Sequence, residues 1–266
     1  MKKLLLVFLF ITFNAYALKP DRNYLGKPDG VNIVYKEYDI NTSDNFKLKT
    51  WVCEPKPEND NKTTLILAYG DAGNMSYWLN QVAELTKNGF TVVTFDYRGF
   101  GQSSDFTINN DYLYYNEFVT DLITVIKWTK QEIKNNKTGI WALSMGTIMS
   151  TLALQQEKVD FLIAEGYVIS PQAIKESLKQ LKNKDIILPE GADKYKNNLD
   201  ALKIKTLLFA GNKDIVTTVN DSKYVASLNK ENKLIEFEAN HLQGFQTLST
   251  VSYGDKYITE ILRFIK

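Results

Sequence analysis

The sequence predicts an α/β fold, a mostly parallel sheet covered by helices. Three observations carry the prediction. Apolar runs of strand length alternate with longer segments of helical period over most of the chain. Two of those runs, Thr63 to Tyr69 and Phe90 to Asp96, have the continuous apolar character of strands covered on both faces. Several runs also end directly in turn-forming stretches, such as Gly70-Asp71-Ala72-Gly73-Asn74 and Gly211-Asn212-Lys213-Asp214. In a parallel sheet the loops that follow strands gather at one edge, so such stretches meet in space although they lie far apart in sequence.

In chain order, a polar lead runs to Gly30. Val31 to Tyr38 and Phe46 to Cys53 then alternate like two strands joined by the turn Asn41-Thr42-Ser43-Asp44-Asn45. Pro55 to Asp60 is a surface connection, too short to link domains. After the strand Thr63 to Tyr69, the segment Met75 to Lys87 sets Trp78, Val82 and Leu85 on one helical face. Phe90 to Asp96 is the next strand, and Glu117 to Lys134 a long helix packed through Phe118, Leu122, Ile126, Thr129 and Ile133. Thr138 to Leu143 is a strand and Gly146 to Leu154 the helix after it. Val159 to Ala164, Ile204 to Ala210 and Leu234 to Glu238 are strands; Val219 to Leu228 and Tyr253 to Phe264 are helices. Residues 166–202 hold a helix over Pro171 to Leu181 and a break at Pro189-Glu190-Gly191. That stretch is too short and polar for a core of its own and reads as a small lid or edge insertion. The expected organisation is one domain over 18–266.

Charged residues at 24% and hydrophobic ones at 44% make a globular composition, and 32 Lys plus Arg against 31 Asp plus Glu leaves a net charge of +1. That balance gives no broad electrostatic footprint for nucleic acid. At the N-terminus Lys2 and Lys3 precede an apolar run from Leu4 to Phe13, and Ala15 and Ala17 supply the small residues of a cleavage site. The run is too short for a comfortable membrane span. Residues 1–17 therefore read as a signal peptide, and the mature chain as secreted or periplasmic with no stable membrane span; a retained, uncleaved anchor is the alternative. Cys53, the only cysteine, cannot form an internal disulfide and reads as a packing residue in its strand.

Chemistry concentrates at Ala142-Leu143-Ser144-Met145-Gly146. A serine on a sharp turn from a buried strand into a helix is lifted out of the sheet, its side chain presented and its own backbone strained. The small residues Ala142 and Gly146 let strand and helix close around that turn. The pattern is a G-x-S-x-G elbow with Ala142 at the first glycine, and a serine that merely caps a helix gives much the same letters. Two later loops favour the elbow. Asp214 follows the strand ending at Ala210, and His241, the only histidine, follows the strand ending at Glu238. Nucleophile, acid, histidine is a chain order known for hydrolytic triads. Ser144 would attack an acyl carbonyl, His241 would move the proton, and Asp214 would hold the imidazole tautomer. The oxyanion donors are assigned to the backbone N–H groups of Met145 and Asp71. Gly70 and Gly73 let the Asp71 loop turn toward substrate, Arg98 reads as a support or salt-bridge residue, and Phe100 and Trp78 as core or pocket wall.

With these residues placed, the chain resembles the alpha/beta-hydrolase fold superfamily, most of all its serine aminopeptidase-like and monoacylglycerol-lipase-like branch. The resemblance rests on Leu65 to Asn74, Asp96 to Ser103, Ala142 to Gly146, Gly211 to Asp214 and His241, which punctuate the chain from Val31 to Lys266. It implies an eight-stranded core and serine hydrolysis of an ester, thioester or sometimes amide, without a metal or cofactor. The sequence departs from the family at three places. Ala142 replaces the first elbow glycine. Tyr69 stands where relatives often carry histidine. Asp71 brings a carboxylate near a site that must stabilise negative charge, with Arg98, Lys213 or solvent as the surroundings it can face.

Other chemistries fit poorly. One histidine and one cysteine cannot build the common nitrogen and sulfur metal sites. Gly70-Asp71-Ala72-Gly73 lacks the lysine and hydroxyl residue of a P-loop, and the loop before Asp96 lacks dinucleotide spacing. The expected partner is a small-molecule acyl substrate in a lightly lidded cleft; the sequence names no protein partner. Two alternatives stand beside the ester or thioester hydrolase. One is a peptidase in which Glu165, otherwise read as a surface acid in the loop after its strand, binds a free substrate amine. The other is a noncatalytic binding protein of the same fold, its oxyanion site impaired by Tyr69 and Asp71.

Overall fold

The computed structural model describes residues 17–266, apart from the side chains of Leu181 and Lys182. The expected signal peptide therefore lies outside the described residues except for Ala17. The first half of the chain runs β1 (Lys19–Pro20), β2 (Val34–Asn41), β3 (Lys47–Glu54), β4 (Thr63–Ala68), β5 (Ala72–Gly73), α1 (Leu79–Lys87), β6 (Phe90–Phe95) and α2 (Glu117–Glu132). The second half runs β7 (Lys137–Leu143), α3 (Met145–Ala153), β8 (Phe161–Glu165), α4 (Pro171–Lys182), α5 (Tyr195–Asp200), β9 (Thr206–Gly211), α6 (Val219–Ser227), β10 (Lys233–Phe237), α7 (Gly244–Thr247) and α8 (Asp255–Phe264).

Eight strands form one sheet in the order β10-β9-β8-β7-β4-β6-β3-β2. From β10 to β6 every neighbour is parallel, while β3 joins β6 and β2 joins β3 antiparallel. The reason is connection length: a turn of a few residues returns β2 into β3 and a short loop with one 3-10 turn reverses the chain again into β4, whereas each later strand of this sheet is reached through a helix, and a crossover of that kind returns the chain parallel. All six residues of β4 and all six of β6 are buried, as their apolar sequences require, while the edge strand β2 is mostly exposed and polar. Cys53 is fully buried, and that burial pushes its thiol up to about 12, so it is inert packing. Among the described residues no helix is long and apolar enough to cross a membrane.

Two expected elements shift for local reasons. The first strand begins at Val34 rather than Val31, because Pro28–Val31 closes a 3-10 turn that ends in left-handed Asn32. The helix expected from Met75 is a 3-10 turn over Met75–Trp78, capped by the Asn74 side chain accepting the Ser76 N–H at 3.0 Å, and only then α1.

The largest surprise is the polar lead. Leu18 is fully buried, and β1 pairs in parallel with β5, the end of the loop that follows β4. Lys19 N–H donates to the Asp71 carbonyl and Asp21 N–H to the Gly73 carbonyl, each at 2.9 Å. From the other side, Asn74 Nδ2 donates to the carbonyls of Asp21 at 3.0 Å and Asn23 at 2.7 Å. The lead is therefore a strap that fixes the loop after β4. The insertion is docked as well: Leu113 and Ile187 exchange backbone bonds with the facing segment at 2.9 and 2.8 Å, and the buried Tyr195 hydroxyl donates to the Val168 carbonyl at 2.7 Å.

Candidate active site

Ser144 joins β7 to α3 with φ 51° and ψ −117°, a strained conformation for a residue with a side chain, and that side chain makes no helix-capping bond. The capping alternative is thus not what the serine does. Ser144 N–H is tied to the Glu165 carbonyl of β8 at 3.0 Å, and its own carbonyl accepts from Thr147 N–H at 2.8 Å. The turn is fixed on both sides, leaving Oγ as the projecting group. Gly146 passes so close to the end of β4 that a Cβ there would stand 1.8 Å from the Ala68 carbonyl oxygen.

The loops after β9 and β10 bring Asp214 and His241 to this edge. His241 Nε2 lies 2.9 Å from Ser144 Oγ, and His241 Nδ1 lies 2.6 Å from Asp214 Oδ2. Burial pushes the Asp214 carboxyl upward, but the bond and charge of His241 and the donors of Thr217 outweigh it and hold the group below its usual value. An ionised carboxylate only accepts, so Nδ1 carries the proton and Nε2 accepts from the serine hydroxyl. Asp214 Oδ1 also accepts the N–H groups of Val216 and Thr217 at 2.8 and 3.0 Å, which locks the carboxylate plane. Asp214 is not a helix cap; Thr218 performs that task for α6 with a capping box to Asp221.

The sequence matches the family model described as the alpha/beta hydrolase fold over residues 63–183. The Pyrococcus furiosus esterase Pf2001 superposes with a TM-score of 0.73 at 20% identity, covering 93% of this chain and 98% of that one, a likeness of fold. The chain has the alpha/beta-hydrolase fold, and the family model matches somewhat under half of it.

Two relatives by sequence align over part of their length. A 31.7 kDa Escherichia coli protein from the traX-finO intergenic region is 35% identical over 41% of this chain and 39% of its own. An acyl transferase of Photobacterium phosphoreum is 26% identical over 72% of this chain and 64% of its own. The chain thus aligns with less than two thirds of the length of either relative.

The residues expected to supply the oxyanion groups lie at the same edge. Met145 opens α3, in the first turn where backbone N–H groups have no acceptor within the helix. A Cβ on Gly70 would lie 3.6 Å from the Ser144 Cβ, so the Gly70-Asp71 loop runs directly beside the elbow. Gly73, at its far end, pairs with Pro20 of the strap. Of the cations that Asp71 could face, Arg98 is held by Asp44 and Asp121, and Lys213 pairs with Glu238 at 2.7 Å.

Arg98 lies in a buried ion-pair cluster. It is 1% exposed, its Nη2 lies 2.7 Å from Asp121 Oδ1 and its Nη1 2.6 Å from Asp44 Oδ2, and the guanidinium stacks 4.0 Å from the Phe46 ring centroid. Phe100 is fully buried core, and Trp78 packs edge-on against Trp141. Tyr69 does not face the elbow as a histidine substitute. Its hydroxyl donates to Asp96 Oδ1 at 3.3 Å, and Asp96 also takes the Met75 N–H at 2.9 Å and the Tyr24 hydroxyl of the strap at 2.5 Å.

Two residues differ from the sequence reading. Glu165 is neither a surface acid nor in the loop after its strand. It is the last residue of β8, only 4% exposed, because the strand runs one residue past the expected end at Ala164. Thr217 is absent from the expected triad, yet its hydroxyl donates to Asp214 Oδ2 at 2.7 Å and lies 3.2 Å from His241 Nδ1. The available signal was the Asp-x-x-Thr spacing from Asp214, a local turn pattern in which the aspartate side chain accepts nearby backbone donors.

Proposed function

We propose that this alpha/beta hydrolase is a serine hydrolase that cleaves carboxylic esters or thioesters. The observation that carries the reading is the continuous line from Ser144 Oγ through His241 to Asp214, at 2.9 and 2.6 Å. As Ser144 Oγ attacks the acyl carbonyl, His241 Nε2 takes its proton and Asp214 stabilises the imidazolium. The N–H groups of Met145 and Asp71 meet the tetrahedral oxyanion. Collapse breaks the bond to the leaving alcohol or thiol, which receives the proton from His241. Water then attacks the acyl-enzyme by the same route, its proton passing to His241 and on to Ser144 as the carboxylic acid departs. One water is consumed for each ester or thioester.

The acyl transferase relative favours a second reading, in which an alcohol or thiol other than water accepts the acyl group from Ser144. The peptidase alternative loses its specific support, since the buried Glu165 is not placed as a surface ligand for an amine. The binding-protein alternative loses one of its two grounds, because the Tyr69 hydroxyl is committed to Asp96. The charged and then apolar leader, with small residues at its end, supports export of the mature chain.

The test is intact-mass analysis after a serine-reactive fluorophosphonate, with Ser144→Ala as control, followed by turnover of an ester and thioester panel with and without an added alcohol acceptor. One adduct on the wild type and none on the folded variant is expected. Equal acyl turnover by both proteins would sink Ser144 as nucleophile. The same spectrum reads whether the mature chain begins after Ala17.

A further inference from the structure

Glu165 touches both halves of the candidate site without being part of the Ser144–His241–Asp214 line. Its carbonyl accepts the Ser144 N–H at 3.0 Å, and its side-chain Oε1 accepts the N–H of Gly244, three residues beyond His241, at 2.6 Å. The fit is close on both sides. A Cβ on Gly244 would lie 2.7 Å from Glu165 Oε2, and a Cβ on Gly166, the next residue, would lie 2.8 Å from His241 Cε1. The loop between His241 and Gly244 contains Leu242 at φ 55°, a conformation that costs energy for a residue with a branched side chain and persists only where surrounding contacts hold it.

The groups that face Glu165 can be named element by element. His241 stands on the loop after β10 and Asp214 on the loop after β9; Tyr257 approaches from α8, Tyr253 lies just before that helix, and α7 presents the Gly244 N–H. Tyr257 Oη accepts the Trp141 indole N–H at 3.2 Å. Tyr257 is itself fixed by stacking on Phe209 at 3.7 Å and Phe245 at 4.4 Å between ring centroids. Among these neighbours, only His241 can carry a positive charge.

We infer that Glu165 is a positioning residue for His241: its carboxylate clamps the 241–244 loop through the Gly244 N–H, and its charge adds to that of Asp214 in favouring the imidazolium. The inference rests on the serine-hydrolase reading of the same site. It gives the acid side of the pH profile a specific shape. Burial pushes the Glu165 carboxyl up to about 7, with the bonds from Gly244 and Tyr257 and the nearby His241 opposing the rise. Neutralising Glu165 therefore falls within the range over which the enzyme is assayed, and it removes the charge that faces His241. The competent state has neutral His241 and ionised Glu165. Acid neutralises Glu165 and also opposes the general base, and activity falls with both.

The experiment measures kcat and KM for a p-nitrophenyl ester, and the rate of fluorophosphonate labelling, over roughly pH 5 to 9. Wild type and Glu165→Gln are compared as full-length protein, with folding checked by circular dichroism. Glutamine keeps the shape and an acceptor for Gly244 but removes the charge. Wild type is expected to lose log(kcat/KM) more steeply than one proton over the roughly one pH unit in which Glu165 is neutralised. The variant is expected to show a one-proton limb, with kcat lowered on the order of tenfold and KM little changed. Two results overturn the inference: a one-proton limb in the wild type, which needs no variant to fold, or a folded Glu165→Gln protein with wild-type kcat and profile. A wild type that neither labels nor turns over removes the serine-hydrolase reading and this inference with it. A wild type that labels, beside an unchanged variant, removes the inference alone.

Discussion

Gly146 and Ala68 are packed so closely that a Cβ on the glycine would stand 1.8 Å from the alanine carbonyl oxygen. The second small residue of the elbow is therefore a matter of clearance between α3 and the end of β4. With that clearance α3 starts beside the Gly70-Asp71 loop, where a Cβ on Gly70 would lie 3.6 Å from the Ser144 Cβ. The first small residue, Ala142, is fully buried in β7 beside β4, where it pairs with Ala68.

Replacing Gly146 by alanine must move backbone, since the clash is with a carbonyl and not with a flexible side chain. We expect a loss of at least about 2 kcal/mol in urea unfolding and slower fluorophosphonate labelling. A variant as stable and reactive as wild type would show that the helix start yields more easily than this packing implies.

Asp214→Asn should leave the fold intact and cut kcat by about 10⁴-fold with little change in KM, because an amide can donate to His241 Nδ1 and hold the wrong tautomer. Thr217→Val should cost far less, on the order of tenfold, since the His241 and backbone bonds to Asp214 remain. Steady-state kinetics of the two variants check the order; an equal loss in both would make Thr217 a more direct participant than its contacts indicate.

Arg98→Met should destabilise the protein by about 3 to 5 kcal/mol, because it leaves Asp121, which is fully buried, without its cation. The pH dependence of the deficit follows from sign. Burial pushes Asp121 up to about 6 even beside Arg98 and should push it higher without the arginine. A carboxyl raised above its unfolded value favours the folded state below the unfolded pKa and loses that advantage as pH rises through the folded one. The deficit should thus be smallest in acid and grow above neutrality, as urea midpoints at several pH values would read. Asp44 behaves oppositely: its bonds to Arg98 lead in holding it near about 2, so its contribution is present above the unfolded value and fades as pH falls toward 2.

Asn74→Ala removes the side-chain bonds to the Asp21 and Asn23 carbonyls that tie the strap to the loop after β4, and with them the acceptor for Ser76. Hydrogen exchange at the Lys19 and Asp21 amides should speed up, by a factor corresponding to roughly 1 to 3 kcal/mol, and kcat should fall more than KM rises. Unchanged exchange at those two amides would mean that the β1–β5 pairing holds without the side chain.

The sequence by itself determined the fold class, because continuous apolar strands separated by helices have few ways to bury their faces. Thr63 to Ala68 and Phe90 to Phe95 announce doubly covered strands, and their order with the intervening helices gives a mostly parallel sheet. It also supplied Ser144, Asp214 and His241 as an ordered set of loop residues, though not the 2.9 and 2.6 Å that separate them. Only the tertiary structure decided the rest. A two-residue pairing of Lys19–Pro20 with Ala72–Gly73 has no period, and the partners are some fifty residues apart. The burial of Glu165, the double pairing of Arg98 and the turning of Tyr69 toward Asp96 each depend on which distant atoms arrive alongside. Periodicity reports the average surroundings of a segment, and a single carboxylate or hydroxyl is placed by contacts that leave no mark on the residues beside it in the chain.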